Sequence, residues 1–224
     1  MRLIVFDCDG TLVDSQHLIV EAMGAAFAAN GLPVPSRQHV LRHVGLSVAE
    51  AMTAMTERAN EALILKLSAS YRTAFASLRQ KPSFAEPLFP GARAALDSLG
   101  REEAVLLGIA TGKSRRGVDH LLAREGLADR FVTIQTADDA PSKPHPGMLL
   151  RAMSEAGAAP EETIMIGDSS YDMLMARNAG AVAIGVAWGY HPAPELIEAG
   201  AQAVAEDFPQ LLSLLSAPQI VAAA

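Results

Sequence analysis

Short apolar runs that alternate with helical segments constrain the fold of this 224-residue chain more than any other feature. The runs are rich in β-forming residues and short enough to be buried strands. They lie at residues 3–6, 104–110, 131–134, 163–166, 181–186 and 203–205. Strands that are apolar on both faces and alternate with helices form a parallel sheet covered by helices. We therefore predict an α/β fold with a Rossmann-like three-layer core.

A long segment of helical periodicity separates the first predicted strand from the second. No strand is predicted between residue 15 and about residue 81, because the apolar residues there recur at helical spacing. Prolines cluster where this pattern ends, between Pro82 and Pro90. The predicted domains are an α/β core formed by residues 1–14 and 85–224 and an all-helical insertion at residues 15–84.

The composition argues against several classes of partner. The chain has 18 Lys and Arg against 25 Asp and Glu, a net charge of −7 and no basic run, so a nucleic acid partner is not expected. The single cysteine, Cys8, excludes an internal disulfide and is typical of a reducing compartment. No basic segment followed by an apolar one precedes the first predicted strand, so we expect no leader sequence. No apolar run reaches the roughly 18 residues that span a bilayer, and we therefore predict a cytoplasmic protein without membrane contact.

Polar residues lie in the loops that follow four of the predicted strands. The first strand is followed by two carboxylates, which strand geometry holds on one side of the chain and roughly 6–7 Å apart. Because ligands of parallel sheets bind beyond the carboxyl ends of the strands, all these groups are expected to face one crevice. They are Asp7 with Asp9, Thr111 with Gly112, Lys143 between Ser142 and Pro144, and Asp168 with Asp172.

Four carboxylates beside a lysine and a threonine predict a divalent-metal site that faces an anion. The set contains no His or Cys, which indicates Mg²⁺ rather than zinc. Asp7 is predicted to be both a metal ligand and the nucleophile that attacks a phosphoryl group, with its charge screened by the metal and by Lys143. Asp9 is predicted to protonate the leaving oxygen and then to deprotonate a water molecule.

The remaining residues are predicted to support this chemistry. The hydroxyl of Thr111 and the N–H of Gly112 would bind phosphate oxygens ahead of a helix N-terminus. Asp168 would complete the metal shell, and Asp172 would bind metal-bound water or hold Lys143. Taken singly, each residue also has an ordinary interpretation as a turn, a solvated lysine, a helix cap or a first-turn charge. Only their joint placement favours the catalytic interpretation.

These residues belong to four motifs that follow one another in the chain. The motifs are D-x-D-G-T-L-x-D-S at residues 7–15, Thr-Gly at 111–112, S-K-P at 142–144 and G-D-S-x-x-D at 167–172. In this order they resemble the motifs of the haloacid dehalogenase-like hydrolases. The chain looks most like the phosphoglycolate phosphatase-like branch, which carries a helical cap after the first motif. The resemblance implies that residues 15–84 form this cap and select the substrate.

The resemblance also implies a role for each motif residue. An acid at position 9 argues against the dehalogenases of the superfamily, which lack it. The implied roles are Asp7 as nucleophile, Asp9 as acid and base with a metal-binding backbone carbonyl, Thr111 and Lys143 at the phosphate, Asp168 as side-chain metal ligand and Asp172 as a supporting acid.

Basic residues near the crevice leave the substrate open. Arg42 and His43 lie in the part of the cap that the resemblance places near the crevice, and we predict that they bind substrate. Lys113, Arg115 and Arg116 begin a predicted helix, where cations are unfavourable unless an anion is near. A carboxylate or second phosphate on the substrate would explain either cluster, and a solvated basic surface would explain them equally well.

We therefore expect Mg²⁺-dependent hydrolysis of a small phosphomonoester through an aspartyl phosphate on Asp7, with 2-phosphoglycolate as the leading substrate. A phosphosugar mutase similar to β-phosphoglucomutase and a pyrophosphatase stay open on the same scaffold. A non-catalytic interaction protein is the alternative from a different class, although the intact acidic and lysine motifs argue against it. The expected partner is a small phosphorylated metabolite, and the chain is expected to be a monomer or a dimer.

Overall fold

A parallel sheet of six strands forms the centre of the computed structural model, which describes residues 1–56 and 60–217. The strands are β1 Arg2–Phe6, β2 Val105–Thr111, β3 Thr133–Thr136, β4 Thr163–Gly167, β5 Val182–Val186 and β6 Ala203–Ala205. They lie in the order β3-β2-β1-β4-β5-β6, and each neighbouring pair is parallel. The predicted α/β class with a parallel Rossmann-like sheet is confirmed.

The first strand lies in the middle of the sheet, between β2 and β4. Leu3 and Val5 pack on one face while Ile4 and Phe6 pack on the other, and all four side chains are fully buried. Burial on both faces explains why the strand is apolar throughout. From β1 the chain first adds strands on one side of the sheet, β2 and β3, and then on the other side, β4 to β6. Such a change of direction opens a crevice at the carboxyl ends of the strands. Asp7 directly follows β1 at this point.

Ten α-helices are described, and those of the core cover both faces of the sheet. The helices are α1 Gln16–Ala29, α2 Arg37–Leu41, α3 Val48–Met55, α4 Glu61–Arg79, α5 Ala92–Leu99, α6 Arg115–Glu125, α7 Gly147–Ala156, α8 Ser170–Ala179, α9 Ala193–Ala199 and α10 Phe208–Leu215. The apolar cluster on one face includes α5, α6 and α10, and the cluster on the other face includes α7, α8 and α9. Among the described residues, none of these helices combines the length and apolar character that crossing a bilayer requires.

Helices α1 to α4 lie between β1 and β2 and pack around an apolar cluster of their own. Ile19 and Phe27 of α1 meet Leu67 and Tyr71 of α4 in this cluster. Side-chain caps begin three of the helices, and the acceptor residues are Ser36, Ser47 and Asn60. In the described part of residues 15–81 no strand is present, as expected. The limits 15–84 for a separate domain stay a prediction.

The third strand begins at Thr133, later than the predicted start at residue 131. The ladder with β2 starts where Gly108 pairs with Thr133, and the preceding residues leave a 3₁₀ turn at Ala128–Arg130. Phe131 is apolar because its side chain packs into the core cluster, and Val132 is 55% exposed. An apolar pattern alone does not separate these contacts from strand pairing.

Candidate active site

Buried charged and polar side chains meet at the carboxyl ends of β1, β2 and β4. The N–H of Asp7 donates to the carbonyl of Ile166 at 2.9 Å, and this hydrogen bond joins the end of β1 to the end of β4. The structure brings together most of the predicted residues, and its buried members are Asp7, Thr111, Lys143, Asp168 and Asp172. So many buried polar groups in one place are costly unless they pair or bind a ligand.

Lys143 lies between two carboxylates and has no exposed surface. Its Nζ is 3.0 Å from Oδ1 of Asp7 and donates to Oδ1 of Asp172 at 2.6 Å. The other oxygen of Asp172 accepts hydrogen bonds from the N–H and hydroxyl of Ser169, at 3.1 and 2.6 Å. Burial alone would lower the pKa of Lys143, but Asp172 and Asp7 raise it above its ordinary value. The ammonium therefore stays charged beside Asp7.

Asp7 is buried with both carboxylate oxygens short of partners. Neither oxygen has an aligned hydrogen-bond donor among the described residues, although the ammonium of Lys143 lies close. Burial raises the pKa of Asp7 to about 6, the positive charge of Lys143 opposes this rise, and the charges of Asp172 and Asp9 add to it. A buried carboxylate with so few partners is expensive to ionise, so the environment suits a group that meets a further cation.

Asp168 lies in a tight cradle formed by neighbouring backbone. Its Oδ1 accepts from the hydroxyl of Thr11 at 3.0 Å, and its Oδ2 accepts from the N–H of Tyr190 at 2.8 Å. A Cβ at Gly10 would lie 2.2 Å from Oδ2 of Asp168 and one at Gly189 would lie 2.1 Å from its Cβ, and Gly10 also has a φ of +87°. Burial and the charges of the neighbouring acids raise the pKa of Asp168 well above its ordinary value.

The acidic residues fit a small divalent cation. Asp7, Asp168 and Asp172 offer carboxylate oxygens that all lie within 4.8 Å of one another. Both oxygens of Asp172 are already bonded to Lys143 and Ser169, and each oxygen of Asp168 accepts one hydrogen bond, so Asp7 is the freest donor of the three. Oxygen ligands without His or Cys are the set that Mg²⁺ prefers. The orphaned oxygens of Asp7 are what such an ion would satisfy.

Asp9 lies beside this group and is held on one side. Its Oδ1 accepts from the hydroxyl of Ser15 at 2.6 Å and from Nζ of Lys113 at 2.7 Å. Its Oδ2 has no hydrogen-bond partner among the described residues. Asp9 lines a cavity of about 660 Å³ between the helical insertion and the core. One oxygen is thus anchored and the other is available for proton transfer.

The loop of residues 45–47 from the insertion lies directly on the core loops. The N–H of Ser47 donates to the hydroxyl of Ser142 at 2.8 Å. A Cβ at Gly112 would lie 2.4 Å from the carbonyl oxygen of Leu46, and one at Gly45 would lie 2.8 Å from Oγ of Ser169. These close approaches explain why glycine stands at positions 45 and 112. The insertion therefore forms one wall of the cavity.

The predicted substrate-binding residues of the insertion separate in the structure. His43 lines the cavity, and its Nδ1 is 2.8 Å from the carbonyl oxygen of His39. Arg42 is 60% exposed, lies 3.6 Å from Glu195 and is not among the cavity-lining residues. Residues 42 and 43 are adjacent on the chain and point in different directions, which periodicity does not determine for so short a segment.

The basic residues after Thr111 also separate. Lys113 turns inward to Asp9 and Glu86, at 2.7 and 2.9 Å, while Arg115 donates to the carbonyl of Ile134 at 2.8 Å. Arg116 is exposed and lines the cavity. Sequence reasoning did not find Glu86. No spacing pattern marks this acid, and its position before Pro87, at the return to the core, was the only available signal.

Comparisons with known proteins agree with this geometry. A family model described as haloacid dehalogenase-like hydrolase matches residues 4–186. The chain is 34% identical over 226 residues to a probable phosphatase, IndB, of Dickeya dadantii, with 96% of this chain and 97% of that protein covered. It is 30% identical to a phosphoglycolate phosphatase of Photorhabdus laumondii, with 98% and 94% covered. The crystal structure of a hydrolase from Pseudomonas syringae matches with a TM-score of 0.85, 30% identity and 96% and 98% coverage.

Proposed function

The chain belongs to the haloacid dehalogenase-like hydrolases and is a phosphoric monoester hydrolase. From this premise we propose that it hydrolyses a small phosphomonoester with Mg²⁺, through an aspartyl phosphate on Asp7. The observation that carries the proposal is the position of Lys143, whose buried ammonium lies between Asp7 and Asp172 at 3.0 and 2.6 Å. A carboxylate attacks an anionic phosphoryl group only when positive charge offsets the repulsion.

The first step transfers the phosphoryl group to the protein. A carboxylate oxygen of Asp7 forms a bond to phosphorus while the bond from phosphorus to the substrate oxygen breaks. The electron pair of that bond stays on the leaving oxygen, which takes a proton from Asp9. In the second step a water molecule gives one proton to Asp9 and its oxygen attacks phosphorus, while the bond from phosphorus to Asp7 breaks. Asp9 therefore serves as acid and then as base.

Phosphate binding is assigned to the residues at the end of β2 and to Lys143. The hydroxyl of Thr111 and the N–H of Gly112 lie ahead of α6, whose N-terminus favours negative charge. Asp172 holds the ammonium of Lys143, so it supports the phosphate site without contacting substrate. The absence of a side chain at position 112 lets the backbone there pack directly against the loop of residues 45–47.

Asp7, Asp168 and the backbone carbonyl of Asp9 are the proposed Mg²⁺ ligands. The ion would supply positive charge that screens Asp7 from the phosphoryl oxygens. The orphaned oxygens of Asp7 and the all-oxygen donor set support this assignment. Asp168 is held for this role by Thr11 and Tyr190, which fix both of its oxygens.

The substrate is proposed to be 2-phosphoglycolate, the substrate in the name of several relatives. The cavity favours a second candidate, a phosphomonoester of a larger alcohol. Its volume is about 660 Å³, and Met23, Tyr71 and Phe75 give it an apolar wall. A two-carbon acid would fill a small part of that space, whereas a larger alcohol would bury apolar surface against the wall.

Phosphate release from a panel of phosphomonoesters and pyrophosphate, with Mg²⁺ or with EDTA, tests the proposal. We expect release from phosphomonoesters with Mg²⁺, strong loss in EDTA and little release from pyrophosphate. Isomerisation of a hexose phosphate without phosphate release would instead establish a mutase. A chain inert toward the whole panel with Mg²⁺ would favour a non-catalytic interaction protein.

A further inference from the structure

A continuous chain of ion pairs connects Asp9 to the last helix of the insertion. Nζ of Lys113 donates to Oδ1 of Asp9 at 2.7 Å and to Oε1 of Glu86 at 2.9 Å. The other oxygen of Glu86 accepts from Nε of Arg79 at 2.9 Å. We call these four residues, Asp9, Lys113, Glu86 and Arg79, the ion-pair chain.

The ion-pair chain is buried and balanced in charge. The side chains of Lys113 and Glu86 are 6% and 3% exposed, and those of Asp9 and Arg79 are 13% and 19% exposed. Two carboxylates face two cations, so no member is left as an isolated buried charge. Removing one member of such a set strands its partner, which is the costly outcome for a buried pair. The arrangement therefore holds each side chain firmly.

The contacts of Lys113 direct it to Asp9 rather than to a substrate anion. Its ammonium donates to two carboxylates and also lies 5.5 Å from the ring centroid of Phe75. Arg79 stacks on the same ring at 4.8 Å. Phe75 thus covers the middle of the ion-pair chain on the side of the insertion. A lysine enclosed in this way orients a carboxylate.

We infer that Lys113 is a positioning residue for the proton transfer by Asp9, and that Glu86 and Arg79 hold Lys113 in place from the insertion. The inference rests on the proposed function, in which Asp9 is the acid and base. Lys113 and Ser15 both bond to Oδ1, so the carboxylate cannot rotate freely and Oδ2 is kept for the leaving oxygen and the water. Arg79 is the last residue of α4, so the position of this helix is transmitted to Asp9.

The connection also reaches the core behind the cavity. The backbone carbonyl of Glu86 accepts a hydrogen bond from the guanidinium of Arg124. Arg124 lies in α6, the helix that begins two residues after Lys113. Glu86 is therefore fixed from the core through its backbone and from the insertion through its side chain. Displacement of α4 would pull Arg79 from Glu86 and loosen Lys113. The acid and base is then fully oriented only when the insertion is seated.

The test compares substrates with poor and good leaving groups in the variant Lys113→Met. With 2-phosphoglycolate, or the best alkyl phosphomonoester of the panel, we expect kcat/KM to fall about 100-fold, because a misplaced acid no longer protonates the alkoxide. With p-nitrophenyl phosphate we expect a loss of about fivefold or less, because p-nitrophenolate leaves without a proton. Lys113→Arg should recover most of the loss with the alkyl substrate, since a guanidinium also bonds carboxylates.

The variant Glu86→Gln provides a second measurement that keeps the side-chain shape. It should lower kcat/KM for the alkyl substrate about tenfold and leave p-nitrophenyl phosphate nearly unchanged. Lys81→Met is the matched control, because Lys81 is exposed, follows Arg79 by two positions and is outside the ion-pair chain. Thermal unfolding of all variants checks the fold, and Glu86→Gln decides the question if Lys113→Met does not fold.

Equal losses for both substrates in the folded variants would overturn the positioning role and show a general structural one. Unchanged alkyl rates in Lys113→Met would overturn it as well. Failure of the proposed function is a different result, since the wild-type protein would then release no phosphate from either substrate. A wild type that is active, with Asp7→Asn inactive and Lys113→Met unaffected, would refute this inference alone.

Discussion

At the residue scale, Asp7 faces opposing electrostatic effects. Burial favours its neutral form and raises its pKa to about 6, while Lys143 at 3.0 Å favours its charged form. Neither oxygen has an aligned donor among the described residues, so the carboxylate is kept poorly satisfied. Such a group is expected to react with an electrophile more readily than a solvated acid does.

Asp7→Asn should remove the nucleophile while leaving the packing nearly unchanged. We expect phosphate release to fall at least about 1,000-fold, because an amide does not form the acyl phosphate. The midpoint of thermal unfolding should stay within a few degrees of wild type, since the side chain keeps its size. Steady-state phosphate release and a thermal melt check the two parts. Retention of most of the activity would refute the assignment of Asp7 as the nucleophile.

The pH dependence of stability in EDTA reports on the same carboxyl group. The pKa of Asp7 is raised from 3.8 to about 6 in the folded chain, so the folded state binds this proton more tightly than the unfolded state. Its contribution to stability is therefore full below about pH 4 and declines as the pH rises to about 6. Wild type should lose stability relative to Asp7→Asn over this range in urea unfolding. Parallel stability curves for the two proteins would contradict the shift.

At the scale of elements, the loop of residues 45–47 connects the insertion to the loops after three core strands. Ser47 bonds to Ser142, and the backbone at Gly45 and Leu46 lies against Ser169 and Gly112. Each contact joins a backbone group on one side to a motif loop on the other. The substrate site is therefore completed by the insertion, and small steric changes at this contact should affect catalysis.

Gly112→Ala should displace this loop. The new Cβ would lie 2.4 Å from the carbonyl oxygen of Leu46, and backbone cannot yield as a flexible side chain does. We expect kcat/KM to fall about 100-fold. Gly24→Ala is a matched control in α1, where the nearest atom is a Val34 methyl at 3.3 Å and alanine favours the helix. Equal activity of Gly112→Ala and wild type would show that the loop moves without consequence.

At the scale of the whole molecule, charges from distant parts of the chain meet at the carboxyl end of β1. Asp7, Lys143 and Asp168 come from three loops, and each loop follows a different part of the parallel sheet. The sheet order places β1 between β2 and β4, which makes this meeting geometrically possible. The buried acids Asp7, Asp168 and Asp172 repel one another, and this repulsion opposes folding unless cations offset it. Lys143 supplies one cation.

Mg²⁺ should therefore stabilise the whole protein. Binding to the folded state alone adds about 2.7 kcal/mol at 100 times the dissociation constant, which corresponds to a midpoint rise of roughly 5–10 °C for a chain of this size. We expect this rise in calorimetry of wild type and its loss in Asp168→Asn. Asp97→Asn, which changes a partly exposed acid that is paired with Arg130 away from the site, should respond like wild type. An identical response of Asp168→Asn would exclude Asp168 as a ligand.

The apolar runs of the sequence were sufficient to predict the parallel sheet, because strands buried on both faces leave a continuous apolar signature. The four motifs were likewise sufficient to place Asp7, Lys143 and Asp168 at one end of that sheet, since parallel strands share their carboxyl edge. The start of β3 was predicted too early because Phe131 is apolar through core packing and not through pairing.

Only the tertiary structure decided which side chains pair across long distances in the sequence. The bonds from Lys113 to Asp9 and Glu86 span 104 and 27 positions, and no local pattern encodes them. The different surroundings of Arg42 and His43 likewise depend on how α2 packs. Periodicity follows from local backbone geometry, so the chain itself specifies strands, helices and loop chemistry. The choice of ion partners follows from how those elements are assembled in space.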